Sequence, residues 1–201
     1  MVRAAHRHAG TLMSRNATAI IPIRTFEGMS RLSRCLEPVA RGHIGRKLAD
    51  RVAGAATGAG LAVTVVTSDA DVVRWAHDWN IDSLAEPDLG GLDNAAAAAV
   101  ASTESDRWLI VHADLPAIAS DDLHAAAALV EKCAVLAPSH DGGTSLIGGS
   151  GNTFPFQYGP GSFRRHLAAL HGRAAVLVRP GLALDLDRPW DLAAFERLGY
   201  L

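Results

Sequence analysis

Short apolar runs and longer amphipathic stretches take turns along the chain. TAIIPIR (18 to 24) is apolar and β-branched and predicts a strand. EPVARGHIGRKLADRVAGAATGAG (37 to 60) reads as a helix closed by glycines, and LAVTVVTSD (61 to 69) as a second strand. DADVVRWAHDWN predicts a helix opened by acidic cap candidates, DSLAEP a short strand, and DNAAAAAVASTE a helix of high intrinsic propensity. RWLIVHADLP (107 to 116) is a near-continuous apolar strand ending at a carboxylate and a proline. SDDLHAAAALVEK predicts a helix capped by Ser120, followed by the strand CAVLAP. From Ser139 to Gly161 glycine and polar residues dominate, which predicts a long loop. SFRRHLAALHG is a helix with Ser162 at its N-cap, AAVLVRP a strand, and DRPWDLAAFERLG a last helix with proline in its first turn.

Repeated strand-helix-strand units whose strands are apolar on both faces predict an α/β fold, a doubly wound, mostly parallel sheet with helices on both faces. In such sheets ligands bind beyond the carboxyl ends of the strands, where strand order reverses.

Composition narrows this frame. The 201 residues, 49% of them apolar, suit one domain, taken here as residues 17 to 201. Residues 1 to 16, MVRAAHRHAGTLMSRN, are basic and lack the apolar block of a secretory signal. They read as a disordered leader, or as an upstream extension with Met13 as the start. No apolar run is long enough for a membrane helix. Cys35 and Cys133 stand far apart and outside any C-x-x-C pattern, which suits a reducing cytoplasm. A net charge of -2 predicts neither nucleic-acid nor membrane partners. The charge is unevenly spread, however: residues 1 to 51 carry ten Lys+Arg against three Asp+Glu. One basic wall for phosphates and one acidic wall for a cation would produce that division, as would a chance split of surface charge.

Four stretches lie where a ligand should sit. RTFEGMSRL follows the first strand with one glycine, Gly28, and with Arg24 and Arg31; Arg34 follows shortly after. It is a phosphate loop or a polar turn, and matches neither G-x-x-x-x-G-K-[ST] nor G-x-G-x-x-G. In HADLP, Asp114 is a metal ligand or the turn-forming residue before Pro116. LDLDRPWDL spaces Asp185 and Asp187 by two, so on a strand both would share a face. Mg2+ takes oxygen ligands, often one or two carboxylates beside phosphates, so Asp114 with Asp185 is the favoured pair. Asp187 is read as the cap of the last helix and Asp191 as serving its dipole. DGGTSL and YGPGSF set glycines beside Thr144 and Ser162, a seat for a small anionic acceptor or an ordinary glycine-rich lid. The histidines show no metal spacing, and without a G-x-S-x-G elbow a hydrolase triad has little support.

In this order, IPIRTFEGMSRL, EPDLGGLDNAA, HADLP, DGGTSL, FPFQYGPGSFRRH and GLALDLDRPWDL resemble the 2-phospho-L-lactate or phosphoenolpyruvate guanylyltransferases of coenzyme F-420 biosynthesis. The resemblance covers nearly the whole chain from Ala17. It implies a Rossmann-like, nucleotide-diphospho-sugar-transferase-like fold and a reaction joining GMP from GTP to a phosphorylated three-carbon acid, with Mg2+ as cofactor. It would set Arg24 and Arg31 at the reacting phosphates and Gly28, Ser30 and Asn94 by the nucleotide. Thr144, Gly159 and Ser162 would then hold the acid, and Asp114 and Asp185 the cation. The chain departs from the pattern at Arg24 and Met29, where the family usually has lysines, at Ser145 and at His112. A catalytically idle nucleotide-binding paralogue, or a transferase for 3-phosphoglycerate or molybdenum cofactor, are the alternatives. Whether the protein forms a homodimer is open.

Overall fold

The computed structural model describes residues 17–88 and 90–201, so the leader expected over residues 1 to 16 lies outside the described part. Seven strands form one sheet in the order β3-β2-β1-β4-β6-β5-β7. They are β1 (Thr18–Pro22), β2 (Ala62–Val66), β3 (Asp82–Leu84), β4 (Arg107–Val111), β5 (Ala134–Pro138), β6 (Thr144–Ser150) and β7 (Ala174–Val176). The helices are α1 (Pro38–Gly58), α2 (Ala70–Asp78), α3 (Leu92–Ser102), α4 (Ser120–Val130), α5 (Ser162–Ala169), α6 (Pro180–Ala183) and α7 (Pro189–Arg197), with a 3-10 turn at Ser30–Arg34. None of the helices is long and apolar enough to cross a membrane among the described residues.

Alternation along the central strands explains the two-faced core, because neighbouring side chains on a strand point to opposite faces. Ala19, Ile21, Leu109 and Val111 join the cluster built with α1, α2 and α4, whereas Ile20, Trp108 and Ile110 join the one beneath α3 and α5. A third, smaller cluster of Leu32, Leu48, Leu186 and Phe195 ties the 3-10 turn to α1 and α7.

The expected elements are present with shorter ends, and one strand, the short helix α6 and the 3-10 turn are additional. Residues 144 to 150, expected within a loop, form β6, antiparallel to both β4 and β5. Gly148 and Gly149 suggested a loop, yet they are in the strand because the neighbours leave no room for a side chain. A Cβ on Gly149 would lie 2.5 Å from the Trp108 indole, and one on Gly148 would lie 2.8 Å from Leu109. Two cap assignments also change. Gly161, at φ +67°, is the N-cap of α5, and Ser162 is its first residue. Ala119 caps α4, with its N–H donating to Asp122 Oδ2 at 3.0 Å, so Ser120 is not the cap.

Candidate active site

The strand order turns back at the β1/β4 pair, where β1 has β2 on one side and β4 on the other. A cavity of about 310 Å³ opens beyond the carboxyl ends of these two strands, the place a doubly wound sheet offers to a ligand. Arg24, Gly28 and Met29 of the opening loop line one side, Gly45 of α1 the back, and His112 and Asp114 the other side. Gly45 must be glycine, because a Cβ there would collide with the carbonyl of Phe26. That contact seats the opening loop against α1.

The basic residues of the loop separate into different roles. Arg24 is exposed at the cavity and has no ion-pair partner among the described residues. Arg31 instead pairs with Asp187, which ties the 3-10 turn to the segment before α7. Ser30 and Arg34 are exposed in the same turn and do not line the cavity. Met29 does line it and also packs on the cluster of Leu32 and Leu48, so the position that carries lysine in the resembled pattern is here part of an apolar contact.

Carboxylates from two separate segments meet near this cavity, and Asp114 lines it. Asp114 follows β4, and Asp185 follows α6; Leu186 N–H donates to the Asp114 carbonyl at 2.8 Å, which draws the segments together. One oxygen of each carboxylate, Asp114 Oδ1 and Asp185 Oδ1, is buried without a hydrogen bond. Burial pushes the Asp114 pKa up to about 6, and the charges of Asp187 and Asp141 add to the rise. Burial likewise raises Asp185 to about 6, helped by Asp114 and Asp141. His140 Nδ1 is 2.8 Å from Asp185 Oδ1, ion-pair distance without hydrogen-bond alignment. Two buried carboxylate oxygens of hard-ligand type that make no hydrogen bond, one of them at the cavity wall, fit a divalent cation completed by substrate oxygens and water. No group of three or more His, Cys, Asp or Glu side chains is placed to hold a metal by itself among the described residues.

Three expectations for this acidic segment are corrected. Residues 184 to 187 are not a strand, so Asp185 and Asp187 do not share a sheet face: Asp185 is buried beside Asp114, and Asp187 faces Arg31. Asp187 does not cap α7 either. Asp191 reaches back instead, its Oδ2 accepting from Arg188 N–H at 2.8 Å and Asp187 N–H at 3.3 Å, so its role goes beyond the helix dipole.

The structure also brings Thr144 and Ser162 together, from β6 and α5, with their hydroxyl oxygens 3.1 Å apart and both residues buried. Beneath them His166, fully buried, places Nδ1 3.0 Å from Thr144 Oγ1 and accepts the Gln157 N–H on Nε2 at 2.8 Å. Burial lowers the His166 pKa to about 4. Its sequence signal, a lone histidine one turn into a helix, gave no warning of this. Gly159, at φ +110°, lets the preceding loop turn above the pair, and Arg165 holds that loop through the carbonyls of Gln157 and Tyr158 at 2.9 and 2.8 Å.

Tyr158 joins the two halves of the site. Its ring lies 5.1 Å from His166 and 5.4 Å from His112, and its N–H donates to Asp93 Oδ1 at 2.7 Å. Tyr158 Oη and His112 Nε2 are buried without partners, like the two carboxylate oxygens. Asn94, next to Asp93, is exposed and donates to the Gly90 carbonyl at 2.8 Å, so it holds the start of α3 and does not line the cavity.

The sequence profile described as "Guanylyl transferase CofC like" matches residues 17–192. The chain belongs to this family. It is 36% identical over 196 residues to the phosphoenolpyruvate guanylyltransferase of Rubrobacter xylanophilus, covering 90% of this chain and 94% of that one. Identity is 36% over 159 residues to the 3-phospho-D-glycerate guanylyltransferase of Phenylobacterium zucineum, covering 74% and 72%. It is 30% over 178 residues to the 2-phospho-L-lactate guanylyltransferase of Methanothermobacter thermautotrophicus, covering 84% and 78%. Among solved structures, a glucosyl-3-phosphoglycerate synthase of Mycobacterium tuberculosis bound to Mn2+ and UDP superposes with a TM-score of 0.62 at 15% identity, covering 96% and 83%. A nucleotidyl transferase from Methanothermobacter superposes at 0.64 and 14%, covering 92% and 97%. The CofC-like chain is thus a nucleotidyltransferase on a nucleotide-diphospho-sugar-transferase type of fold.

Proposed function

We propose that this CofC-like protein transfers GMP from GTP to phosphoenolpyruvate, releasing diphosphate, as a step toward coenzyme F-420. The observation that carries the reading is the pair of buried carboxylate oxygens, Asp114 Oδ1 and Asp185 Oδ1, that make no hydrogen bond, with Asp114 and Arg24 both lining the β1/β4 cavity. Relatives named for phosphoenolpyruvate support the acceptor, and those named for 2-phospho-L-lactate and 3-phospho-D-glycerate mark the chemistry shared with it, a phosphorylated three-carbon acid.

Reaction needs an oxygen of the acceptor phosphate to attack the α-phosphorus of GTP in line with the departing diphosphate. No protein nucleophile takes part, so positioning and charge neutralisation supply the rate. Asp114 and Asp185 would hold Mg2+, which supplies neutralisation of the phosphate charge there. Arg24 contributes a guanidinium at the cavity mouth, able to hold two phosphate oxygens at once. Gly28 lets the loop backbone approach the nucleotide, while Ser30 and Asn94, outside the cavity lining, support the opening loop and the start of α3. Arg31 acts through Asp187, fixing the loop. Thr144, Ser162 and Gly159 form the acceptor seat, their hydroxyls offered to its anionic oxygens.

With Mg2+ and GTP, phosphoenolpyruvate should elicit diphosphate release that is absent without the acid. Release that ignores the acid, or silence with it while GTP still binds, would overturn the reading. The latter outcome would identify an idle paralogue and point to the apolar Met29 as the cause.

A further inference from the structure

The buried Thr144, Ser162 and His166 form a closed count of protons. Gln157 N–H donates to His166 Nε2 at 2.8 Å, so in the neutral ring that nitrogen is the acceptor and Nδ1 carries the hydrogen. Nδ1–H therefore donates to Thr144 Oγ1 at 3.0 Å. Thr144 and Ser162 share a single contact of 3.1 Å, which uses one hydroxyl hydrogen. Whichever of the two donates there, the other keeps a hydrogen for which no acceptor exists among the described residues. Were the ring in the opposite tautomer, Nδ1 would accept from Thr144, Thr144 from Ser162, and no donor would remain. The backbone of Gln157 thus sets the tautomer, and the tautomer sets the polarity of the whole chain.

We propose that His166 is a positioning residue: as the Nδ1–H tautomer it leaves the Thr144/Ser162 pair with one uncommitted hydroxyl donor, available to an anionic oxygen of the acceptor acid. The depressed pKa of His166 agrees, since a charged ring would lose its acceptor to Gln157. This inference rests on the acceptor seat proposed above and adds to it the residue that polarises it.

Two substitutions separate positioning from simple anchorage. His166→Asn places an amide N–H where Nδ1 was and loses the acceptor for Gln157; His166→Gln keeps an acceptor near Nε2 and loses the donor to Thr144. His166→Gln should raise KM for the acid by about tenfold or more, with KM for GTP changed by less than about threefold, and His166→Asn should raise it less. The reverse ranking, or equal rises in both KM values, would overturn the proposal in favour of a loop anchor. Histidine 15N spectra of the wild-type protein supply a readout that needs neither variant folding nor turnover. They should show Nδ1 protonated and Nε2 bare at neutral pH, and a protonated Nε2 would defeat the inference. Absence of turnover in the wild type would instead defeat the acceptor reading while leaving the tautomer measurable.

Discussion

Asp185 carries opposing demands, and its pH dependence exposes them. With its pKa raised from 3.8 to about 6, the folded state binds this proton more tightly than the unfolded chain does. Stability from that proton is fully present below pH 3.8 and is lost as pH rises through about 6. Asp185→Asn should therefore match wild type near pH 4 and be more stable at pH 8 without metal, by on the order of 2 kcal/mol or about 4–8 °C in Tm. Mg2+ should raise the Tm of wild type at pH 8 and leave the variant nearly unmoved, although the variant loses activity. Thermal melts at the two pH values check this; a variant less stable than wild type at pH 8 would show that the carboxylate is compensated within the protein. Arg24 makes the complementary prediction. Arg24→Ala should lower kcat/KM by about 10²- to 10³-fold with little change in Tm, because its exposed guanidinium packs on nothing that folding needs. At this scale the sequence revealed Asp114, Asp185, Thr144 and Ser162 as residue types suited to the chemistry. It could not reveal that Arg31 is engaged by Asp187, a partner 156 positions away, or that His166 lies beneath Thr144.

Elements were legible wherever local pattern and burial agree. The β1 and β4 strands are apolar runs that the fold buries on both faces, and α2 begins where Asp69 accepts the N–H groups of Asp71 and Val72 at 2.8 and 3.2 Å. The β6 strand escaped because its two glycines are explained only by Trp108, which lies on another strand, and no local rule encodes that contact. Gly149→Ala should cost about 1–3 kcal/mol, since the indole is pinned by its Nε1 donating to the Gly151 carbonyl at 2.8 Å and has no room to retreat. Equilibrium denaturation would measure it; a neutral substitution would mean that β6 does not pack as described. Because Thr144 opens β6, this strand also delivers half of the hydroxyl pair to the site. A glycine-rich stretch that reads as a lid is structurally an internal strand, so Thr144 is held by the sheet itself.

Across the whole molecule, one axis organises what was scattered in sequence. The reversal of strand order at β1/β4 opens the cavity, α1 backs it through Gly45, and the segment before α7 brings Asp185 close to Asp114 at its wall, though the two are far apart along the chain. The basic first quarter and the acidic remainder meet there: Arg24 and Asp114 both line the cavity, and Asp185 lies close to Asp114. Part of the apparent basic excess is spent on structure, as the Arg31–Asp187 pair shows. The most direct measurement is a competition in which the protein, GTP and Mg2+ meet equimolar phosphoenolpyruvate, 2-phospho-L-lactate and 3-phospho-D-glycerate, with products resolved by mass. The account predicts GMP joined chiefly to phosphoenolpyruvate, with one diphosphate released for each product. Intact GTP and no guanylylated acid, or GMP joined to none of the three acids, would contradict it.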